Sequence, residues 1–346
     1  MNRDYGIPGH AHHEEEGHDE ENNHEQEEQE EGTQAKMQQD RFQLLSEVNF
    51  EQRFIKQLAA KFAYTDYQHQ EIEEGLVGTT FSNKSTEMKI DLYHQEYSGW
   101  QGAWTLHYKG SDFKALGEEA FSPPSNTDSF AIAWLEEKHF DNVLLQLGAR
   151  VERVTIDAQA GDVNFPGEVH DHELHQESIS FEQQNFTPFS ASSGLVWNYQ
   201  TGYNIGVSLA LSQRAPSAAE LFSFGPHIGT NTFEVGAIYE LEQEGEEIHV
   251  ELSAQAPDLE TSYSLDLTWR KFEGDFGFVV SAFYNQVTDY YYQQDTGLFF
   301  DGEHDEHGLE NDEHDEGLPI LIYQQDDVDM YGVEAELFYQ ITSPLK

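Results

Sequence analysis

The sequence predicts an all-β protein, an antiparallel up-and-down transmembrane β-barrel with long extracellular loops. Three observations predict this fold: apolar and polar residues alternate with a period of two, short and long connections take turns along the chain, and aromatic residues gather at the short connections. No helical period competes with the alternation. No run of 18 or more apolar residues predicts a transmembrane helix.

The alternation of period two predicts where the strands lie. In GYNIGVSLALSQR, for example, Tyr203, Ile205 and Val207 alternate with Asn204 and Gly206, as in a strand with one apolar face. The same reasoning predicts eleven strands near 41–51, 56–67, 85–95, 99–108, 128–137, 142–156, 187–199, 203–213, 260–270, 275–292 and 327–341.

The connections between these strands predict two different rims. Connections of three or four residues alternate strictly with connections of 17 to 46 residues, which is typical of an outer-membrane barrel with tight periplasmic turns and long outer loops. A soluble sandwich or propeller also has alternating strands, but it rarely has such regular loop asymmetry. Amphipathic rings at the short turns fit a bilayer interface. These rings are Tyr97, Trp100, Trp197, Tyr199, Tyr203, Trp269, Phe272 and Phe276.

Composition excludes several classes of function. The formal charge of −49 on 346 residues makes nucleic acid an unfavourable partner. The absence of cysteine excludes disulfides and thiolate metal sites. The sequence has no Gly-x-Ser-x-Gly, His-Glu-x-x-His or phosphate-loop motif, so we predict no enzyme activity and no catalytic residue.

Three acidic segments contain eleven of the seventeen histidines, and all three fall at the long-loop rim. We treat these histidines as candidate metal ligands. They are His10, His12, His13, His18 and His24 in the first segment, His170, His172 and His175 in the second, and His304, His307 and His314 in the third.

Two interpretations of these segments remain open. Residues i and i+2 of an extended chain point the same way, so His170 and His172 can offer two imidazoles to one ion, and imidazole with carboxylate suits Zn²⁺, Ni²⁺ or Cu²⁺. The alternative is a solvated loop that its own acidic charge extends, which we favour for the histidine-free run 25–31. For the mixed segments we favour weak metal capture.

Residues 214–341 resemble the middle of the barrel of TonB-dependent outer-membrane receptors. RAPSAAELFSFGPHIGTNTFEVG carries the Arg-x-Pro, Glu-Leu-Phe, Gly-x-His-x-x-Thr and Phe-Glu-x-Gly of one extracellular loop in that family. Ala237 replaces the usual Asn, and an insertion follows before Leu259 and Glu260. The early YGIPGH with its histidine-rich tract resembles the zinc-uptake branch of the family.

The resemblance implies a location, a function and a set of partners. It implies the outer membrane of a Gram-negative bacterium, contact with its lipid, and transport of a metal ion, most simply zinc, with no resident cofactor. It further implies import driven by the TonB energy-transducing complex through a plug domain. Family members have such a plug and a barrel of about 22 strands, so we expect this chain to be a barrel fragment. We expect a loop at 1–40 and a partial barrel at 41–346, with histidine-rich loops near 157–186 and 293–326.

His227 is a further candidate ligand, in the loop that carries the family pattern. The resemblance implies that it helps to hold the ion, whereas a structural role would pack it against Phe222 and Phe224. Arg214, Glu220 and Glu234 are expected to tie the loop to the barrel wall. Two rival functions remain: a receptor for haem or a metal–siderophore chelate, and a surface protein that sequesters metal without transport.

Overall fold

A computed structural model describes residues 2–6, 34–51, 53–73, 76–117, 120–159, 161–162, 178–227, 230–244, 247–300 and 317–341. Almost all of these residues lie in β-strands, and none of the described helices is long and apolar enough to cross a membrane. The elements, in chain order, are β1 Asn2–Gly6, β2 Gln34–Asn49, β3 Ile55–Glu73, β4 Leu76–His94, β5 Trp100–Gly117, β6 Ser125–Phe140, β7 Val143–Ala158, β8 Gly161–Asp162, β9 Ser178–Ile179, β10 Gln184–Phe186, β11 Phe189–Gln200, β12 Tyr203–Arg214, α1 Ala218–Phe222, β13 Phe224–His227, β14 Thr232–Val235, β15 Tyr239–Glu244, β16 Glu247–Leu252, β17 Glu260–Lys271, β18 Phe276–Phe300 and β19 Leu318–Tyr339.

One sheet of fifteen strands dominates the molecule. Strands β1 to β7 lie side by side in chain order and are followed by β11, β12, β17, β18 and β19, with every one of these neighbours antiparallel. Strand β10 adds to β7, and β14 pairs parallel with β19 and carries β13. The eleven predicted strands correspond to the eleven long ones, which confirms the all-β, up-and-down antiparallel class.

Several long strands extend further than the sequence predicts. Strand β3 runs to Glu73 and β4 begins at Leu76, where we predicted a connection over 68–84. Strands β5, β18 and β19 extend in the same way into the connections predicted at 109–127 and 293–326, and β2 begins at Gln34, inside the segment 1–40. Most of these extensions lack the regular apolar alternation of the strand centres, while the backbone pairing continues. In β19 the outer residues Ile320 and Ile322 are apolar but belong to a buried hydrophobic cluster.

The sheet has one continuous apolar face. Leu92, Trp104 and Trp134 lie side by side on β4, β5 and β6, and the same register continues across the sheet to the leucines of β11, β12 and β17. Many large apolar side chains of this face are exposed in the isolated chain, for example 49% for Trp104, 60% for Phe42 and 54% for Leu209. Soluble monomers rarely expose such a contiguous apolar surface, so this face requires an apolar surrounding such as lipid.

The opposite face of the sheet is polar and internally paired. Asp91 accepts a hydrogen bond from Thr105 at 2.6 Å and lies 3.1 Å from the Lys89 ammonium. Between the same two strands, His107 Nε2 lies 2.8 Å from Glu87 Oε1, and on β7 Arg150 lies 3.0 Å from Glu152. Because the two faces differ this clearly, the register of the sheet is fixed: a slip of one residue would exchange them.

The short connections gather aromatic side chains, as the sequence predicts. The indole N–H of Trp269 donates to the Tyr199 hydroxyl at 2.8 Å, and the Trp197 and Tyr199 rings are 5.6 Å apart. Gly202 (φ 76°) and Gly274 (φ 87°) adopt the left-handed conformation that these tight turns need. The short-turn rim is therefore an aromatic girdle, the arrangement expected where a barrel meets the bilayer surface.

Candidate functional site

The loop between β12 and β17 is folded against the upper end of the sheet. Leu221 and Phe222 of α1, together with Val235 of β14, are fully buried, and so is Ile320 of β19. These residues belong to one hydrophobic cluster that also contains Ile156 of β7. Burial of this size fixes the loop backbone, so its polar side chains have defined positions.

A charged clamp joins this loop to the sheet. The Arg214 guanidinium, at the end of β12, donates to Glu220 Oε2 at 2.8 Å and to Glu260 Oε2 at 2.6 Å. Glu220 also closes a capping box at the start of α1, because its carboxylate accepts from the Ser217 backbone N–H at 2.6 Å. The prediction that Arg214 and Glu220 tie the loop to the wall is therefore confirmed.

His227 and Glu234 face each other across the β13–β14 hairpin. His227 Nδ1 lies 2.7 Å from Glu234 Oε1, and the Glu234 side chain is only 6% exposed. A carboxylate only accepts hydrogen bonds, so Nδ1 carries the proton and Nε2 keeps its lone pair in the neutral ring. Glu234 thus pairs with His227, which corrects the expectation that it ties the loop to the wall as Arg214 and Glu220 do. A histidine oriented in this way by a carboxylate is the arrangement found in metal sites.

The imidazole of His227 packs against Phe121, a ring that the sequence did not indicate as a neighbour. The Phe121 and His227 rings are stacked, with centroids 4.2 Å apart and planes inclined by 20°. The Phe224 N–H donates to the Phe121 carbonyl at 2.7 Å, and a Cβ on Gly225 would come within 2.9 Å of Phe121 Cα. The missing side chain of Gly225 is what allows the hairpin to approach the 120–124 segment so closely.

The surroundings of this hairpin are electronegative. Tyr323 lies on the part of β19 that extends beyond the apolar face, and burial together with the charges of Glu234 and Glu220 raises the pKa of its hydroxyl to about 12. Glu220 is already paired with Arg214, so Glu234 is the carboxylate that would favour a cation beside His227. The site therefore offers an imidazole lone pair next to one buried carboxylate, that of Glu234.

Eleven of the twelve candidate ligands belong to the three histidine-rich segments. His10, His12, His13, His18, His24, His170, His172, His175, His304, His307 and His314 all lie outside the described residues. Within the described ranges, no group of three or more His, Cys, Asp or Glu side chains is placed to hold a metal ion. His227 is the one predicted ligand that the structure describes.

Three histidines without a predicted role have contacts in the structure. His94 Nε2 lies 2.8 Å from Glu136 Oε1, His107 pairs with Glu87, and the His69 ring stacks on Phe81 at 4.5 Å. Each partner comes from another strand. The sequence shows which residues these are but not that they meet, because the register between strands carries that information.

Comparison with known proteins gives one family match. The sequence model of a family described as TonB dependent receptor-like, beta-barrel matches residues 4–345 of this chain. The match covers nearly the whole chain, including the histidine-rich segments.

Solved structures with a similar fold include two transporters and one receptor. The copper transporter OprC has a TM-score of 0.61 at 11% identity, over 90% of this chain and 43% of its own. The hemophore receptor HasR of Serratia marcescens, a double mutant in complex with its hemophore HasA and heme, has a TM-score of 0.57 at 12% identity, over 88% and 46%. The FrpB iron transporter of Neisseria meningitidis (F5-1 variant) has a TM-score of 0.57 at 11% identity, over 89% and 42%. The chain spans less than half of each structure.

Proposed function

Because this chain belongs to the family of TonB-dependent receptor-like β-barrels, we propose that it is barrel wall of an outer-membrane receptor that imports a transition-metal ion, with zinc as the substrate. The apolar face would contact outer-membrane lipid. Import would draw on the TonB energy-transducing complex through a plug domain of the receptor. In this proposal the chain does not change the ion chemically; it captures the ion, selects it and releases it.

The observation that carries this proposal is the His227–Glu234 pair. The carboxylate holds the imidazole with Nε2 free to bind an ion, and a side chain one-third exposed is accessible to it. Zinc bound by protein usually has three or four nitrogen, oxygen or sulfur ligands, and this chain has no cysteine. His227 would supply one ligand, and the others would come from the histidine-rich segments or from the remainder of the receptor.

The histidine-rich segments would act before this site. With a net charge of −49, the chain attracts divalent cations, and imidazoles in the three acidic segments would favour transition metals over Mg²⁺ and Ca²⁺. Capture by many weak ligands raises the local concentration of the ion. A single tighter site then decides which ion proceeds.

The direct test is zinc accumulation by cells. Cells that carry the full-length receptor should accumulate radioactive zinc at limiting concentration, and cells without the receptor should not. Equal accumulation in both strains would refute the proposal, whereas surface binding of zinc without entry would favour a sequestering protein.

Haem is the second candidate because of the rings beside His227. Phe121 stacks on the imidazole, and Phe81 lies 6.3 Å from Phe121, so an apolar surface adjoins a nitrogen that can also ligate haem iron. Titration of the purified receptor with haem and with zinc separates the two. A visible-band shift on adding haem that zinc does not reverse would favour haem.

We expect the segment Gly167 to Ser178 to bind zinc in a pH-dependent way. Titration calorimetry of this peptide should show binding at pH 7.5 that weakens as the pH falls through about 6.5, because only neutral imidazole is a ligand. The control peptide has His170, His172 and His175 replaced by Ala. Equal binding by this control would show that the carboxylates alone hold the ion.

We also expect the two rims to differ in accessibility on intact cells. The chain has no cysteine, so single cysteines can be introduced at exposed positions: Gln294 near the long-loop end, and Thr201 or Glu273 in the short turns. A membrane-impermeant maleimide should label Gln294→Cys and leave the other two unlabelled until the outer membrane is opened. Labelling of Thr201→Cys on intact cells would overturn the topology.

A further inference from the structure

A groove of about 510 Å³ crosses the apolar face. Its lining includes Ala191, Ser193, Leu209, Leu211, Tyr263 and Tyr284, on the four adjacent strands β11, β12, β17 and β18. The register places these residues on one side of the sheet, because Ala191 opposes Leu211 and Leu211 opposes Tyr263. The groove exists because the small side chains of β11 lie beside the taller leucines and tyrosines of the next strands.

An arginine without an acidic partner lies above this groove on the same face. Arg153 is exposed, and its guanidinium donates to Asn185 Oδ1 at 2.8 Å and to Thr187 Oγ1 at 3.3 Å. In the part of the chain that the structure describes, no carboxylate lies within 4.0 Å of it, whereas Arg150 has one such partner and Arg214 has two. Two neutral hydrogen bonds fix the guanidinium, and its charge and remaining N–H groups stay available.

Arg153 lies at the height along the strand where the outer surface of a bilayer is expected. Val143 begins β7 at the aromatic short-turn rim, and Arg153 lies ten residues further on the same face. At about 3.4 Å per residue and a tilt of about 40°, this rise corresponds to about 25 Å along the membrane normal, the height of the apolar band of a barrel. Ala149, which opposes Ala191, lies four residues below, or about 14 Å along the strand.

We propose that this face holds one phosphorylated, acylated lipid of the outer leaflet, with its phosphate on Arg153 and one acyl chain in the groove. Guanidinium binds phosphate through two parallel hydrogen bonds, and an anionic headgroup complements a cation that the protein itself leaves uncompensated. The lining of leucine, alanine and tyrosine rings suits an alkyl chain. The inference rests on the proposed outer-membrane location but not on the metal that is transported.

Native mass spectrometry of the purified full-length receptor tests this lipid site. Receptor in detergent is mixed with bisphosphorylated lipid A, and the fraction with one retained lipid is measured. Arg153→Gln should reduce retention about tenfold, the cost of a charge-assisted hydrogen bond. Ser193→Phe should reduce it by filling the groove. The matched control is Lys84→Gln, which removes a cation of the same face that is already paired with Asp66 at 3.7 Å.

Two outcomes decide whether the lipid site exists. Loss of retention in both Arg153→Gln and Ser193→Phe, but not in the control, supports the site. Retention unchanged in either variant overturns it, since an effect of Arg153 alone would mean a phosphate ion site without an acyl chain. Zinc accumulation should stay normal in both variants. The two proposals can therefore fail separately: a receptor without the lipid site can still transport zinc, and a receptor that does not transport zinc can still be tested for lipid retention.

Discussion

Replacing His227 with alanine should reduce zinc accumulation by the full-length receptor more than any other single change in this chain. The substitution removes a direct ligand, whereas loss of a residue that only orients a ligand already costs about 10–100-fold in metal affinity. Deleting residues 10–31 should have a milder effect, because each ligand in a redundant acidic segment contributes a small part of the binding free energy. The measurement is initial uptake of radioactive zinc at limiting concentration, with equal receptor abundance at the surface.

Glu234→Gln provides the graded test of the same mechanism. The amide oxygen can still accept the Nδ1 proton of His227, but it lacks the negative charge, so zinc affinity should fall about 10–100-fold without loss of fold. His107→Ala is the matched control, since His107 is also paired with a carboxylate, Glu87, but on the polar face of the sheet. If the His227→Ala receptor transports zinc normally while the deletion of 10–31 abolishes uptake, the expected order of effects is reversed. The acidic segments, and not His227, would then form the main zinc-binding site.

The strands could be predicted because lipid contact imposes a strong pattern on the sequence. Every second residue of β12 and β17 is apolar where the strand lies in the band, and this pattern ends where both faces become polar. The hairpin of β3 and β4 continues beyond that point through backbone hydrogen bonds, which depend little on side-chain type. The class and order of the strands were therefore predictable, and their outer ends were not.

The candidate site could be predicted in part, because some of its residues form a recognisable sequence motif. The resemblance located Arg214, Glu220, Glu234 and His227 within one loop, and the first two form the expected clamp. Phe121, the ring that packs on His227, comes from a connection about a hundred residues earlier with no periodic signal. Contacts of this kind depend on how two distant loops pack against each other, and no local pattern in a single sequence predicts that packing.

The clamp at Arg214 is the second position where a large effect is expected. Arg214→Ala leaves two carboxylates, Glu220 and Glu260, that are 17% and 15% exposed and face each other without a cation. Breaking a fully buried ion pair costs about 3–5 kcal/mol and an exposed one about 0.2–1 kcal/mol. Because Arg214 itself is 43% exposed, we expect an intermediate cost of about 2 kcal/mol. This free energy opposes docking of the loop, while the eleven long strands keep their own hydrogen bonds.

Limited proteolysis measures this effect on the loop alone. Phe222 and Phe224 are cleavage sites for chymotrypsin that the docked loop protects, so a cost of about 2 kcal/mol should raise the cleavage rate about thirtyfold in Arg214→Ala. Glu260→Gln added to Arg214→Ala should recover part of the protection, since one uncompensated charge is removed. Lys84→Ala, which breaks an exposed pair on β4, is the control and should leave cleavage unchanged. Equal cleavage of Arg214→Ala and the parent would mean that apolar packing around Leu221 alone holds the loop, and zinc uptake by Arg214→Ala should then be normal as well.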